Sequence, residues 1–154
     1  MNKWFYFNIL ILAFAITKIF SKNVKWHLLL GLIGLLFILF NWTRRAVFST
    51  IRATSNRRRK IKYANISKKV VHIHKWTGTT ALIIAISHSL LVLRHFRFYI
   101  SNFKILSGLL AGIILIFVVL AGWMRYYRPT VRKRYIHLFL GMLMIFLIAI
   151  HILL

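Results

Sequence analysis

Two stretches of the chain repeat one pattern of histidine and glycine. The first reads HKWTGTTALIIAISH and the second reads HLFLGMLMIFLIAIH, so both follow H-x3-G-x9-H. The patterned residues are His74, Gly78 and His88 in the first stretch and His137, Gly141 and His151 in the second. Because neutral imidazole is the commonest metal ligand in proteins, two histidine pairs at one spacing predict a metal or metal-cofactor site.

Helical geometry places the two histidines of each stretch on one face. At 100° per residue, fourteen residues come within about 40° of a whole number of turns and extend about 21 Å along the axis. In a helix that crosses a bilayer, the two imidazoles would therefore lie near opposite ends of the hydrocarbon core.

Composition predicts the helices that carry these pairs. Hydrophobic residues make up 60% of the 154 residues and charged residues 15%, and the mean hydropathy is +0.76. Five apolar stretches approach the ~20 residues that a transmembrane helix needs. They lie near 4–20, 26–42, 71–93, 104–123 and 135–154. We predict an all-α integral membrane bundle of five transmembrane helices that forms one domain over residues 1–154.

The first apolar stretch has a second interpretation. Ala13-Phe14-Ala15 resembles a small-residue cleavage site, so the stretch could be a cleaved signal peptide. Apolar character resumes after Ala15, which favours an uncleaved helix. Other glycines, Gly31, Gly34, Gly108 and Gly112, have the spacing of close contacts between membrane helices.

The fixed charge of the chain is entirely positive. It has 23 lysines and arginines and no aspartate or glutamate, so internal ion pairs cannot balance it. Anionic lipid headgroups, an acidic partner protein or a buried anionic cofactor could supply the anions. Nucleic acid is not expected, because the cations flank apolar stretches instead of forming a separate basic module. Since the chain has no cysteine, redox chemistry would need a cofactor.

Most of the cations lie in two connections, residues 43–69 and residues 125–134. The positive-inside rule places both in the cytoplasm, with the N-terminus inside and the C-terminus outside. We expect residues 43–69 to form a basic cytoplasmic loop with a short amphipathic helix, which contacts anionic lipid or an acidic cytoplasmic protein. The expected location is a bacterial plasma membrane, as a multi-pass protein.

The predicted topology brings the histidines of the two stretches together. Spans three and five run in the same direction, so His74 can face His137 and His88 can face His151. Two opposed imidazoles are what six-coordinate haem iron requires, and we predict one haem b at each pair. The glycine of each pattern, one turn from the first histidine, would make room for the macrocycle.

Haem propionates would supply part of the missing negative charge. Their candidate partners are the cations near the span ends: Lys75, Arg94, Arg97 and Arg125. The remaining histidines do not share the pattern. We expect His27 and His72 at the membrane interface, and His95 near a propionate or an outer substrate.

This arrangement resembles the ferric reductase-like transmembrane domain of ferric reductases, NADPH oxidases and the haem-binding membrane subunit of bacterial methionine sulfoxide reductase systems. In that family, histidine pairs on the third and fifth helices hold two stacked b haems, and a basic loop between helices two and three meets the flavoprotein donor. The resemblance implies that the four patterned histidines are axial haem ligands and that the Arg44 to Lys69 segment faces the donor.

The family usually has a sixth helix, and its reductases and oxidases add a cytoplasmic flavin and nicotinamide domain. This chain stops three residues beyond His151. We therefore expect a minimal haem core whose electron donor is a separate flavoprotein or a membrane quinol.

The leading hypothesis is electron transfer across the membrane to an outer acceptor, which could be ferric iron, oxygen, a quinone or a partner enzyme. In one alternative, the histidines carry metal ions or protons through a small transporter, although the carboxylates and thiolates common in such pathways are absent. In another, every histidine is structural, and the chain is an accessory subunit that recruits a partner through its basic loop.

Overall fold

A computed structural model describes residues 3–21, 25–96 and 102–154, and over these residues the chain is helical without strands. The helices are α1 (Lys3–Phe20), α2 (Trp26–Ala53), α3 (Arg57–Phe96), α4 (Phe103–Tyr127) and α5 (Val131–Leu153). All five are long and apolar enough to cross a membrane by length and composition. The predicted all-α fold of five apolar helices is confirmed.

The five helices form a closed ring in which each packs against its neighbours in the sequence. The most extensive packing joins α2 to α3 and α4 to α5, and α1 closes the ring by contacting α5. Lys18 Nζ donates a hydrogen bond of 2.7 Å to the carbonyl oxygen of Leu153 at this closure. Within the described ranges, no α-carbon of α3 lies within 8 Å of one from α5. The two histidine-bearing helices therefore face each other across the interior of the ring.

An apolar layer fills the ring midway between the two histidine levels. Ala81 is seven residues from both histidines of α3, and Met144 is seven residues from both histidines of α5. Ala81 is fully buried, and Ile145 beside Met144 is 3% exposed. These residues pack in one cluster with Leu35, Ile38 and Leu39 of α2 and Leu115 of α4. We call this cluster the middle layer, and it separates one end of the bundle from the other.

The basic segment at residues 43–69 differs from the predicted loop. Helix α2 continues to Ala53 and α3 begins at Arg57, so only residues 54–56 connect them. Lysine and arginine are good helix formers, and the Asn56 side chain caps α3 by accepting hydrogen bonds from the backbone N–H groups of Arg58 and Arg59 at 3.0 and 3.2 Å. The segment is therefore a helical hairpin, which we call the basic hairpin.

The length of α3 shows how far this hairpin extends. At 1.5 Å per residue, its 40 residues span about 60 Å, which is twice the hydrocarbon thickness of about 30 Å. The predicted spans 26–42 and 71–93 thus lie within α2 and α3 as parts of longer helices. The end of the ring that carries the basic hairpin is called the basic end below, and the opposite end is the far end.

Capping residues fix where α4 and α5 begin. The Asn102 side chain accepts from the backbone N–H of Lys104 at 3.0 Å, and the Thr130 hydroxyl accepts from that of Lys133 at 3.3 Å. Pro129 stands just before Thr130, where its missing N–H costs the helix nothing. The turn at 128–130 makes α4 and α5 antiparallel neighbours and so aligns α5 with α3.

Candidate functional site

The four patterned histidines form two pairs across the ring. At the basic end, the ring centroids of His74 and His137 lie 6.1 Å apart with an interplanar angle of 87°. At the far end, those of His88 and His151 lie 6.5 Å apart with an angle of 80°. These are the two pairings that the sequence predicted, and we call them the basic-end pair and the far-end pair.

The spacing of each pair suits one metal ion held between two imidazoles. With metal–nitrogen bonds of about 2 Å on each side, the two ring centres would stand about 6 Å apart. Among the residues that the structure describes, no group of three or more histidine or acidic side chains could hold a metal ion. Each pair therefore offers two ligands, which suits a metal whose other four positions are filled by a planar macrocycle.

Backbone carbonyls orient three of the four imidazoles. Each of these rings places Nδ1 close to a backbone carbonyl oxygen. The distance is 2.7 Å from His88 to His27, 3.0 Å from His137 to Val118, and 3.0 Å from His151 to Lys104. Because a carbonyl only accepts, we assign the hydrogen of each ring to Nδ1, which leaves the lone pair on Nε2. This arrangement is the usual one for metal-binding histidines, whose second nitrogen donates to a fixed acceptor.

The fourth imidazole lacks such an acceptor. His74 Nδ1 is buried and has no hydrogen-bond partner within the described part of the chain. Three residues further along α3, the Thr77 hydroxyl donates a hydrogen bond of 2.7 Å to Asn41 Oδ1 on α2. The two pairs are thus similar in ring spacing and different in their hydrogen bonding.

Glycines on the flanking helices leave space for three of these rings. A Cβ atom would approach an imidazole Cε1 at three positions, and the contacts are Gly31 to His88 at 3.1 Å, Gly108 to His151 at 2.8 Å and Gly122 to His137 at 3.3 Å. Larger residues at these positions would displace the rings or the helices. Their spacing in the sequence predicts only helix packing for Gly31 and Gly108, and nothing in the sequence singles out Gly122, because none of the three belongs to the repeated histidine pattern.

The other glycines have looser surroundings. A Cβ at Gly78 would meet Asn41 Nδ2 at 3.8 Å, and one at Gly141 would meet Trp42 Cζ3 at 3.9 Å, which are ordinary contact distances. Their predicted role in making room for a macrocycle stays a prediction. A Cβ at Gly112 would meet no atom within 4 Å, so the structure gives no evidence for its predicted role in close helix contact.

Two arginines lie near the basic-end pair. Arg44 and Arg125 interact electrostatically with both His74 and His137, and also with each other. Arg44 Nε is buried and has no hydrogen-bond partner among the residues described. Since the sequence has no aspartate or glutamate, no side chain of the chain can balance this charge. Arg125 is among the cations that the sequence predicts for a cofactor, whereas Arg44 falls in the segment predicted as a loop and is not among them.

The remaining cations proposed for propionates have other surroundings. Lys75 Nζ lies 3.8 Å from the ring centroid of Tyr126, with the rings of Trp76 and Trp123 at 5.4 and 5.3 Å. Cation–π attraction therefore accounts for the position of Lys75. Arg94 is exposed near the end of α3, and Arg97 lies outside the described residues.

The unpatterned histidines divide between the two ends. His72 is exposed on the basic side, and the rings of His27 and His95 lie 6.1 Å apart at the far end with an interplanar angle of 33°. Phe96 packs edge-on against both of these rings. The hydrogen bond between the His27 carbonyl and His88 could not be predicted from the sequence, because every residue type has a backbone carbonyl.

Each side of the middle layer therefore presents one pair of opposed imidazoles. Comparison of the chain with protein-family models, with curated proteins and with solved structures gave no match.

Proposed function

We propose that this chain is a multi-pass membrane protein that transfers electrons through two b-type haems, as the ferric reductase-like family does. The observation that carries the proposal is the pairing of four histidines across the ring, on two helices whose described α-carbons stay more than 8 Å apart. Imidazole planes at 87° and 80°, with centroids 6.1 and 6.5 Å apart, have the separation that a metal between two imidazoles requires. The donor set, two nitrogens per site and no third ligand in the described residues, suits haem better than a bare metal ion.

In this proposal, His74 and His137 bind the basic-end haem iron, and His88 and His151 bind the far-end haem iron. When bound, haem supplies one-electron chemistry between ferric and ferrous iron. Because both histidines of a pair would hold the haem, binding of a substrate at the metal would be disfavoured. Backbone carbonyls and flanking glycines hold three of the rings in place, which reduces the rearrangement that each change of oxidation state would require.

The residues between and around the pairs have supporting roles in the proposal. The middle layer keeps water out of the interior, because Ala81, Leu115 and Ile145 are buried and apolar. At the basic end, Arg44 and Arg125 would pair with haem propionates, and they would then no longer lack a counter-ion.

The orientation follows from the distribution of charge. The basic hairpin and the turn between α4 and α5 concentrate lysine and arginine at one end of the bundle, so the positive-inside rule places that end in the cytoplasm. The N-terminus would be inside and the C-terminus outside. Electrons would enter from a separate flavoprotein or a quinol at the basic end and leave to an acceptor outside, while anionic lipids contact the hairpin.

The test is to express the protein with ample haem, purify it in detergent and record oxidised and reduced visible spectra with a haem assay. We expect a low-spin b-type spectrum and about two haems per chain. His88→Ala or His151→Ala should remove one haem and keep the other, and His74→Ala or His137→Ala should remove the second one instead. The matched control His72→Ala, on the same helix but outside the pairs, should keep both. A wild-type protein that binds no haem would refute the proposal.

A further inference from the structure

Two histidines outside the repeated pattern lie together at the far end of the bundle. His27 is in the first turn of α2 and His95 is one residue before the end of α3, so the packing of α2 on α3 brings both side chains to this end. Their ring centroids are 6.1 Å apart, with an interplanar angle of 33°. The two rings are close enough to share one metal ion, since metal–nitrogen bonds of about 2 Å on each side put the ring centres about 5 to 6 Å apart.

The surroundings hold these two rings in place and leave them open to a ligand. Phe96 packs edge-on against both, with its ring centroid 5.5 Å from that of His27 and 4.8 Å from that of His95. Within the described part of the chain, neither imidazole makes a hydrogen bond. His95 is exposed and His27 is half-buried, so ions from solvent can reach the pair. Two rings held at a fixed spacing are favourable for metal binding, because little freedom is lost when the ion binds.

The chemistry of the two side chains selects the class of ion. Imidazole binds zinc, copper and nickel, whereas magnesium and calcium prefer oxygen ligands. Lys25 lies nearby, with Nζ 6.0 Å from the ring centroid of Phe96, and its positive charge opposes the approach of a cation. Binding therefore depends on metal–nitrogen bonds and not on electrostatic attraction. The described residues supply no third histidine or acidic ligand, so water would complete the coordination.

We propose that His27 and His95 bind one divalent transition-metal ion, zinc or copper, at the far end of the bundle. Each imidazole donates one nitrogen lone pair and replaces one water of the ion, with no change of oxidation state. The ion joins the start of α2 to the end of α3. It therefore holds the first turn of α2, where the His27 carbonyl accepts the hydrogen bond of 2.7 Å from His88. This site goes beyond the proposed function and does not depend on the two haems.

The first experiment measures bound metal after equilibrium dialysis of the full-length protein, purified in detergent without a histidine tag. His27→Gln and His95→Gln should each bind one zinc ion fewer than the wild type. His72→Gln is the matched control, because His72 is an exposed histidine on α3 outside the pair, and it should bind as much zinc as the wild type. The wild type should bind no magnesium.

A double variant separates this site from the far-end pair. In a His151→Gln background the far-end pair is already broken. Adding His27→Gln should still remove one zinc ion. If His27→Gln has no effect in that background, the ion belongs to the far-end pair and the proposal is wrong.

A second experiment needs no variant and so does not depend on the folding of one. Zinc should slow hydrogen exchange of the wild-type amides at residues 28–32 of α2 and leave exchange at residues 58–62 of the basic hairpin unchanged. Magnesium should change neither region. Bound zinc that gives no protection at residues 28–32 would overturn the proposal.

The remaining outcomes are also decisive. A wild-type protein that binds no zinc, or equal zinc binding by His27→Gln and the wild type, would overturn the proposal. Equal loss from His72→Gln would do the same, because the loss would then not be specific to the pair. Haem content measured on the same samples tests the proposed function separately, since a protein without haem can still bind zinc at this site.

Discussion

The Nδ1 atom of His88 lies 2.7 Å from the carbonyl oxygen of His27, so the first turn of α2 orients an imidazole that α3 carries. This contact uses the backbone of His27 and not its side chain. Gly31 lies one turn further along α2 and lets the His88 ring lie against this helix. A Cβ atom at Gly31 would be only 3.1 Å from Cε1 of His88. Helix α2 thus positions a histidine of the proposed haem site without supplying a ligand.

A first prediction separates the backbone of His27 from its side chain. His27→Ala removes the ring contacts with His95 and Phe96 but keeps the carbonyl that accepts from His88. We therefore expect the far-end haem to be retained, with an unchanged reduced spectrum, whereas His88→Ala loses it. Loss of the far-end haem from His27→Ala would mean that the imidazole of His27 is itself needed.

A second prediction compares Gly108 and Gly112, which lie four residues apart on α4. At Gly108 a Cβ would lie 2.8 Å from His151 Cε1, a distance at which something must shift, while at Gly112 it would meet nothing within 4 Å. Gly108→Ala should displace the His151 ring and reduce far-end haem content, and Gly112→Ala should not. Haem per chain and the reduced spectrum measure the difference.

The two variants form a matched pair, because they make the same chemical change one turn apart on one helix. Equal haem content in Gly108→Ala and wild type would show that the His151 ring can shift without losing its function. Equal loss in both variants would point instead to a general effect on α4.

The helical pattern allowed part of this site to be predicted from the sequence. A spacing of fourteen residues on two parallel helices is enough to pair His74 with His137 and His88 with His151, because helical geometry is regular over that length. Gly122 and the carbonyl of Val118 lie on α4, outside the repeated pattern, so the sequence did not indicate them.

Arg44 was missed for a different reason. Charge alone suggested a loop at residues 43–69, yet lysine and arginine also favour helices, and packing of α2 on α3 extends both helices beyond the predicted spans. The extension of α2 is what carries Arg44 to the basic-end pair. The distribution of charge indicates which end of a helix is solvated, but the residue at which the helix begins depends on a cap such as Asn56.

A third prediction concerns Lys75, whose Nζ lies against Trp76, Trp123 and Tyr126. Lys75→Gln should lower stability by about 1 kcal/mol through loss of the cation–π contacts and leave both haems bound. Thermal unfolding in detergent and haem content measure the two effects, with exposed Lys69→Gln as the control. Loss of basic-end haem without loss of stability would instead support the propionate contact that the sequence suggested.

A fourth prediction tests the basic hairpin against the loop that charge alone suggested. Asn56 accepts from the N–H groups of Arg58 and Arg59, so Asn56→Ala removes the cap of α3 at a cost of about 1 kcal/mol to that helix end. Hydrogen exchange at residues 58–62 should accelerate, while exchange near Ala81 in the middle layer should not change. Ser55→Ala, one residue before the cap, is the control and should leave both regions as in the wild type. Fast exchange at residues 58–62 in the unmodified protein would contradict the hairpin, because a loop has no helical hydrogen bonds to protect those amides.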